Sequence, residues 1–334
     1  MKVVDMHCHM VPAHFPVAPP SCGIHWPHMD HRPNHTAAVM IGNKEFRLVD
    51  HRCWDTQRRI ADMDGQGVAL QVLSPMPELL SYWIGAEEAL VLARHVNRAI
   101  AEMIGHAPDR FAGIGMVPLQ DPDMAAKELA ALRDDYGLAG VEIGSNVLGR
   151  SPGDKFFDPF FAEAERLDLA VFVHALHPTT NDRIVGSPSP LLAAYIGFPS
   201  DVGFAAASFI SGGILQKFPK LRVGFSHGGG TLASFLPRFQ AGWERMPSSE
   251  KEFAAPEETA RRFYYDNVVF DRRLLRHLIE VVGDTQIFVG SDYPFSGGQS
   301  NSSAMFDGLG LTHGQLEALR GGNAMRFLGS HLRG

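Results

Sequence analysis

The sequence predicts an α/β fold: a (β/α)8 barrel of the TIM type, with a small insertion after the first strand. Three observations carry this. Short apolar runs alternate with amphipathic helical stretches along the chain, the pattern of parallel βα units. The central runs are apolar throughout rather than alternating, as expected of strands buried on both faces. Several of them end in His or Asp, and in such a barrel the C-terminal strand ends form the chemical face. A doubly wound open sheet is the competing topology, but no G-x-G-x-x-G turn follows the first strand.

Taken in order, residues 2–9 read as strand one. Residues 10–54 hold Pro12, Pro16, Pro19, Pro20, Pro27 and Pro33 with little periodicity, so they read as an inserted subdomain with a short strand or hairpin near 36–49. His25, His28, His31 and His35 lie there. They read either as a polar flap or as a second metal site. Asp55–Gly65 is a helix with Asp55 as N-cap, because a short carboxylate can accept from the unpaired first-turn amides. Val68–Ser74 is strand two, Ala86–His106 a long helix, Phe111–Leu119 strand three and Asp123–Asp135 a helix. Leu138–Ser145 is strand four, Pro159–Leu167 a helix and Leu169–His174 strand five. A Pro/Ser/Thr-rich loop covers 178–189, and 190–216 is helical with a break at Gly212 and Gly213. Leu221–His227 is strand six, with Gly228, Gly229 and Gly230 turning into a helix over 231–241. Phe263–Phe270 is strand seven, 271–282 a helix, Gln286–Asp292 strand eight and 312–329 the closing helical segment.

Composition excludes several classes. The chain has 334 residues, 45% hydrophobic and 20% charged, a length that fits two average domains or one large α/β barrel with an insertion, and the alternating elements select the single barrel domain. A formal charge of −7 disfavours nucleic acid and anionic membranes as partners. No apolar run is long enough to cross a bilayer, and Asp5 and His7 interrupt any secretory leader. Three cysteines without C-x-x-C spacing point to a reducing, cytoplasmic location. Sixteen histidines are the compositional hint of metal chemistry.

Residues two apart on a strand share a face, so His7 and His9 aim at one point with Cys8 opposite. His174 ends strand five, His227 strand six and Asp292 strand eight. In a barrel these five meet in one mouth. Three imidazoles and a carboxylate suit Zn²⁺ first, with Mn²⁺, Fe²⁺ or Co²⁺ as alternatives. His7, His9, His174 and Asp292 are therefore read as ligands of one divalent metal, leaving a position open for water. His227 is free beside it as the general acid or base. The Gly228–Gly230 run is not a P-loop, since no Lys-Ser/Thr follows.

These residues resemble the amidohydrolase superfamily, specifically its branch of metal-dependent decarboxylases typified by 2-amino-3-carboxymuconate 6-semialdehyde decarboxylase. The matching stretches are Asp5-Met-His-Cys-His9, Phe46-Arg47, Cys53-Trp54-Asp55, Ser81-Tyr-Trp83, Phe172-Val-His174, Ser226-His-Gly-Gly-Gly230, Gly290-Ser-Asp-Tyr-Pro-Phe295 and Gly322-Asn-Ala324. The resemblance implies a distorted barrel, zinc held by His7, His9, His174 and Asp292, and His227 activating the metal's water. It also implies Arg47 and Arg238 as grips for substrate carboxylates, with Arg238 reaching the neighbouring subunit's site in a homodimer. A guanidinium fork suits this because it binds a carboxylate bidentately. Trp83 and Phe295 are candidates for the pocket wall, with a core role the competing reading. Ala175 and Leu176 stand where the branch has Pro and Trp, and the Trp expected in the next loop is absent from Leu191–Tyr195. One wall of the pocket therefore differs.

The implied activity is non-oxidative decarboxylation of an unsaturated or aromatic carboxylic acid, either the named semialdehyde or a related substituted benzoate. Metal-dependent hydrolysis or hydration of a lactone, amide or unsaturated diacid is the alternative. A non-catalytic metal-binding scaffold is the third reading, and the complete set of five polar residues speaks against it.

Overall fold

The computed structural model describes residues 2–177, 191–295 and 301–329. The 178–189 loop lies outside them. Eight parallel strands follow one another around the molecule: β1 (Val3–Met10), then, after the insertion, β5 (Val68–Pro75), β6 (Phe111–Gly113), β7 (Gly140–Gly144), β8 (Ala170–His174), β9 (Val223–Phe225), β10 (Tyr264–Asp266) and β11 (Ile287–Phe288). Within the insertion, β2 (Pro27–Arg32), β3 (Thr36–Ile41) and β4 (Lys44–Asp50) form an antiparallel sheet.

Continuous ladders join β1-β5-β6 and β7 through β11. The seams between them carry single bridges. Gly115 N donates to Gly140 O and Glu142 N to Gly115 O on one side. Met6 N donates to Val289 O and Asp292 N to His7 O on the other. The barrel is therefore closed by a few bonds on each side of β1-β5-β6.

The interior is filled by Val4, Met6, Val72, Ile114, Ala170, Phe172, Phe288 and, from the closing helix Asn323–Leu328, Phe327. Burying one such large side chain contributes about 1.5–3 kcal/mol. Around the outside, helices such as Ala86–His106 and Arg272–Val282 bury one apolar face each against the strands. The helix over Thr56–Gln66 is capped as its sequence demands: Asp55 Oδ1 accepts from Gln57 N and Arg58 N, and Gly67 closes it at φ 68°.

Strands three, six, seven and eight are shorter than the apolar runs predict. The barrel ladder stops where residues turn inward or bend into the mouth. At the end of β10 the Asp266 carboxylate, not a neighbouring strand, accepts from the amides of His227, Gly228 and Val268.

Candidate metal centre

The site begins with a change of phase in β1. Val4 and Met6 pack into the barrel interior, so unbroken alternation would send His7 outward. A register irregularity between Asp5 and Cys8 adds one residue to β1 relative to β5. After it His7 and His9 face the mouth, while Cys8 donates from Sγ to Val72 O and joins the outer core.

The four residues read as ligands are brought together. Their donor atoms all lie within 4.8 Å of one another. His7 Nε2 is 3.1 Å from His9 Nε2, and Asp292 Oδ1 is 3.0 Å from His9 Nε2 and 3.4 Å from His7 Nε2. Ligands about 2.1 Å from one shared ion sit roughly 3–3.5 Å apart, which these spacings match. His174 Nε2 is buried and has no hydrogen-bond partner, although its ring sits 4.8 Å from those of both His7 and His9.

Each imidazole is fixed from behind by its other nitrogen. His7 Nδ1 lies 2.5 Å from Asp266 Oδ2, His9 Nδ1 3.0 Å from Pro75 O, and His174 Nδ1 2.9 Å from Ala175 O. Three acceptors thus hold the Nδ1–H tautomer and leave three Nε2 lone pairs converging. The donor set fits a divalent cation on this ground.

Electrostatics agree. Burial would lower the His7 pKa, but hydrogen bonds to Asp266 and Asp292 outweigh it and raise it to about 10. Burial, then neighbouring imidazoles, hold His174 well below its usual range, and burial lowers His9. Burial works to raise Asp292, yet the His7 and His9 imidazoles beside it keep its carboxyl well below the usual carboxylate range. The carboxylates around His7 therefore favour one positive charge at this point, supplied either by a proton on His7 Nε2 or by a cation bound to that lone pair, while His9 and His174 stay neutral.

His227 stands beside this group, its ring 5.2 Å from that of His174 and its Nδ1 3.1 Å from Ser226 Oγ. Its pKa is lowered by burial. His227 and Asp292 both hold left-handed backbone, φ 54° and 59°, a conformation that non-glycine residues rarely adopt. Asp266 fixes the first through the His227 and Gly228 amides. Gly290 leaves room between the layers: a Cβ there would meet His7 Cβ at 2.8 Å and Asp266 Cβ at 2.9 Å.

A cavity of about 390 Å³ opens above the cluster, lined by His9, His174, His227 and Asp292 and also by Arg47, Glu78 and Phe295. Phe295 lies 5.6 Å from the His9 ring, and the Arg47 guanidinium sits 5.0 Å from the centre of the Phe295 ring. Trp83 is half-buried outside the cavity lining and packs edge-on against His177 at 5.2 Å. Arg238 is exposed on the helix Leu232–Arg245 and is not among the described residues that line the cavity. The histidines at 25–35 form no second cluster among the described residues: His31 Nε2 lies 2.8 Å from Ala13 O, and His35 stacks on His51.

Sequence reasoning missed Asp266 and Glu78. Asp266 ends an apolar run just as Asp292 does, but a strand read as far as Phe270 placed it mid-strand. Glu78 sits in the loop after β5, where no periodic signal marks it.

The amidohydrolase family pattern matches residues 4–330. The chain belongs to the amidohydrolase family. Within the family, 2-amino-3-carboxymuconate-6-semialdehyde decarboxylase of Dictyostelium discoideum is 34% identical over 330 residues, covering 98% of this chain and 91% of that protein. Gamma-resorcylate decarboxylase of Rhizobium radiobacter is 26% identical over 279 residues, 78% of this chain and 83% of that one. A solved dihydroxybenzoic acid decarboxylase from a Polaromonas species, with bound manganese and the inhibitor 2-nitroresorcinol, shares the fold. Its TM-score is 0.79 at 19% identity, covering 98% of this chain and 97% of that one. This amidohydrolase is an enzyme with a divalent-metal site, a metal-dependent decarboxylase and therefore a carbon–carbon lyase. No helix among its described residues is long and apolar enough to cross a membrane.

Proposed function

We propose that the chain removes CO₂, without oxidant, from an electron-rich unsaturated or aromatic carboxylic acid, either 2-amino-3-carboxymuconate 6-semialdehyde or a related substituted benzoate. The observation that carries this is the convergence of three imidazole Nε2 atoms and the Asp292 carboxylate at the floor of a cavity that also holds His227 and Arg47.

His7, His9, His174 and Asp292 would hold the ion, with Zn²⁺ the first choice for this donor set and Mn²⁺, Fe²⁺ or Co²⁺ the alternatives. Bound there, a divalent cation supplies Lewis-acid stabilisation of negative charge on substrate oxygens. The Arg47 guanidinium attracts the substrate's anionic end, and Phe295 offers a face for its unsaturated plane. His227 relays a proton to the carboxyl-bearing carbon. The carbon–carbon bond then breaks, its electron pair restores the unsaturated system, CO₂ leaves, and the added proton stays on that carbon as the C–H of the product.

Arg238 is exposed and does not line its own cavity, which supports the reading of a homodimer in which it serves the neighbouring site. Three buried thiols, all free, support a reducing cytoplasmic setting.

The test is CO₂ release by Zn²⁺-loaded protein from a panel holding the semialdehyde, generated in place, and several hydroxy- and aminobenzoates. Metal-dependent release from one member is the expected result. Absence of CO₂ from every member, with the metal bound, would count against the reading.

A further inference from the structure

A buried polar clasp holds the chain just after His174, and the proton chemistry does not use it. Ser145 and Asn146 follow strand β7, and Asp201 lies in the first turn of the helix Phe198–Ser211. All three are buried, Asp201 at 4% exposure. The Ser145 hydroxyl donates to Asp201 Oδ2 and accepts from Leu176 N at 3.0 Å. Asn146 Nδ2 donates to the same Asp201 oxygen at 2.9 Å and to Leu176 O at 2.8 Å.

Leu176 N belongs to the peptide unit whose oxygen is Ala175 O. That oxygen accepts from His174 Nδ1 at 2.9 Å. A trans peptide unit is planar, with its N–H and C=O on opposite sides. Holding the Leu176 N–H on Ser145 therefore holds Ala175 O on His174. A serine hydroxyl has one proton to give. Because Asp201 takes it, Ser145 Oγ meets Leu176 N with a lone pair and not with a hydrogen. Without Asp201 the hydroxyl is free to donate elsewhere, and the peptide loses its anchor. A turned peptide withdraws the acceptor from His174 Nδ1. The ring is then free to carry its proton on Nε2, where a metal needs a lone pair.

The mount of Asp201 is rigid. A Cβ on Gly230 would overlap Pro199 O, and one on Gly203 would overlap Thr231 Oγ1. The start of the helix Phe198–Ser211 is thus wedged against the turn after His227, whose ring stands 5.2 Å from that of His174. A carboxylate on so fixed an element can set the orientation of a neighbouring peptide.

We infer that Asp201 is a positioning residue: acting through Ser145, it fixes the Ala175–Leu176 peptide and with it the tautomer in which His174 presents Nε2 to the metal. The inference rests on the reading of His174 as a ligand and goes beyond it by naming what holds that ligand ready.

Zn²⁺ affinity by chelator competition, the visible spectrum of the Co²⁺-loaded protein and Tm are measured for wild type, Asp201→Leu, Asp201→Asn, Ser145→Ala and the combination of Asp201→Leu with Ser145→Ala. Asn97→Ala, which removes a buried clasp on the Met116 backbone outside the cavity lining, controls for stability alone. The expected result is metal binding weaker by about tenfold or more in Asp201→Leu and in Ser145→Ala, with an altered Co²⁺ spectrum in both. The combined variant loses no more than either single one, because both break the same path. Asn keeps a carbonyl oxygen for Ser145 and Asn146, so Asp201→Asn stays within about threefold of wild type. Asn97→Ala lowers Tm and leaves affinity and spectrum unchanged. Affinity within about twofold of wild type in folded Asp201→Leu, or losses that multiply in the combined variant, overturns the assignment. Where Asp201→Leu does not fold, Ser145→Ala decides by the same criterion. His174→Ala separates this inference from the ligand reading. Affinity retained there defeats the ligand reading, whereas affinity lost there and retained in Asp201→Leu defeats the role of Asp201 alone.

Discussion

His7 is held between two carboxylates, with Nδ1 2.5 Å from Asp266 Oδ2 and Nε2 3.4 Å from Asp292 Oδ1. Only the second faces the cavity. Asp266 is fully buried and also accepts from the amides of His227, Gly228 and Val268, so one carboxylate orients His7 and the His227 turn together. Asp266→Asn offers a donor where an acceptor is needed and releases the His7 tautomer. Metal affinity should fall about 10–100-fold. Competition against a chelator of known affinity measures this, and unchanged affinity would show that Asp266 does not position His7.

Gly290 is the spacer of the same pair. In Gly290→Ala the new methyl must displace either the His7 or the Asp266 backbone, since both Cβ atoms lie under 3.0 Å from it. The expected cost is about 1–3 kcal/mol of stability, together with weaker metal binding. Chemical denaturation and metal titration on one preparation report both effects. A variant as stable as wild type would mean the layers part freely.

For His227 the informative substitution is Asn, because Asn tolerates the left-handed backbone at φ 54° better than Ala does. His227→Asn should lose about 10²–10⁴-fold in turnover while binding metal as wild type does. Full turnover would remove His227 from the proton relay.

The three thiols give a pH prediction. Burial pushes Cys53 up to about 12 and also raises Cys8 and Cys22. At pH 8 the Cys53 thiolate fraction is about 10⁻⁴, so alkylation of the folded protein should be slow and all three should react in denaturant. A folded pKa above the unfolded one adds stability that is complete below the unfolded value. That contribution should fade as pH climbs from about 9 towards about 12. Rapid native-state labelling of Cys53 would contradict its burial.

The sequence by itself determined the repeating βα units, the metal-binding residue types and their places at strand ends. Periodicity and composition are local, and His7, His9, His174, His227 and Asp292 each close an apolar run that can be read without the rest of the chain. What only the tertiary structure decided are relations between distant segments. The extra residue in β1 that turns His7 inward shows only against β5. The acceptors that fix each tautomer come from other parts of the chain or from backbone oxygens, which no sequence pattern marks: Asp266 for His7, Pro75 O for His9, Ala175 O for His174. The pairing of Arg47 with Glu78 joins the insertion to the loop after β5, 31 positions apart. Side-chain charge is written in the sequence, but its neutralisation depends on which other charge the fold brings within reach.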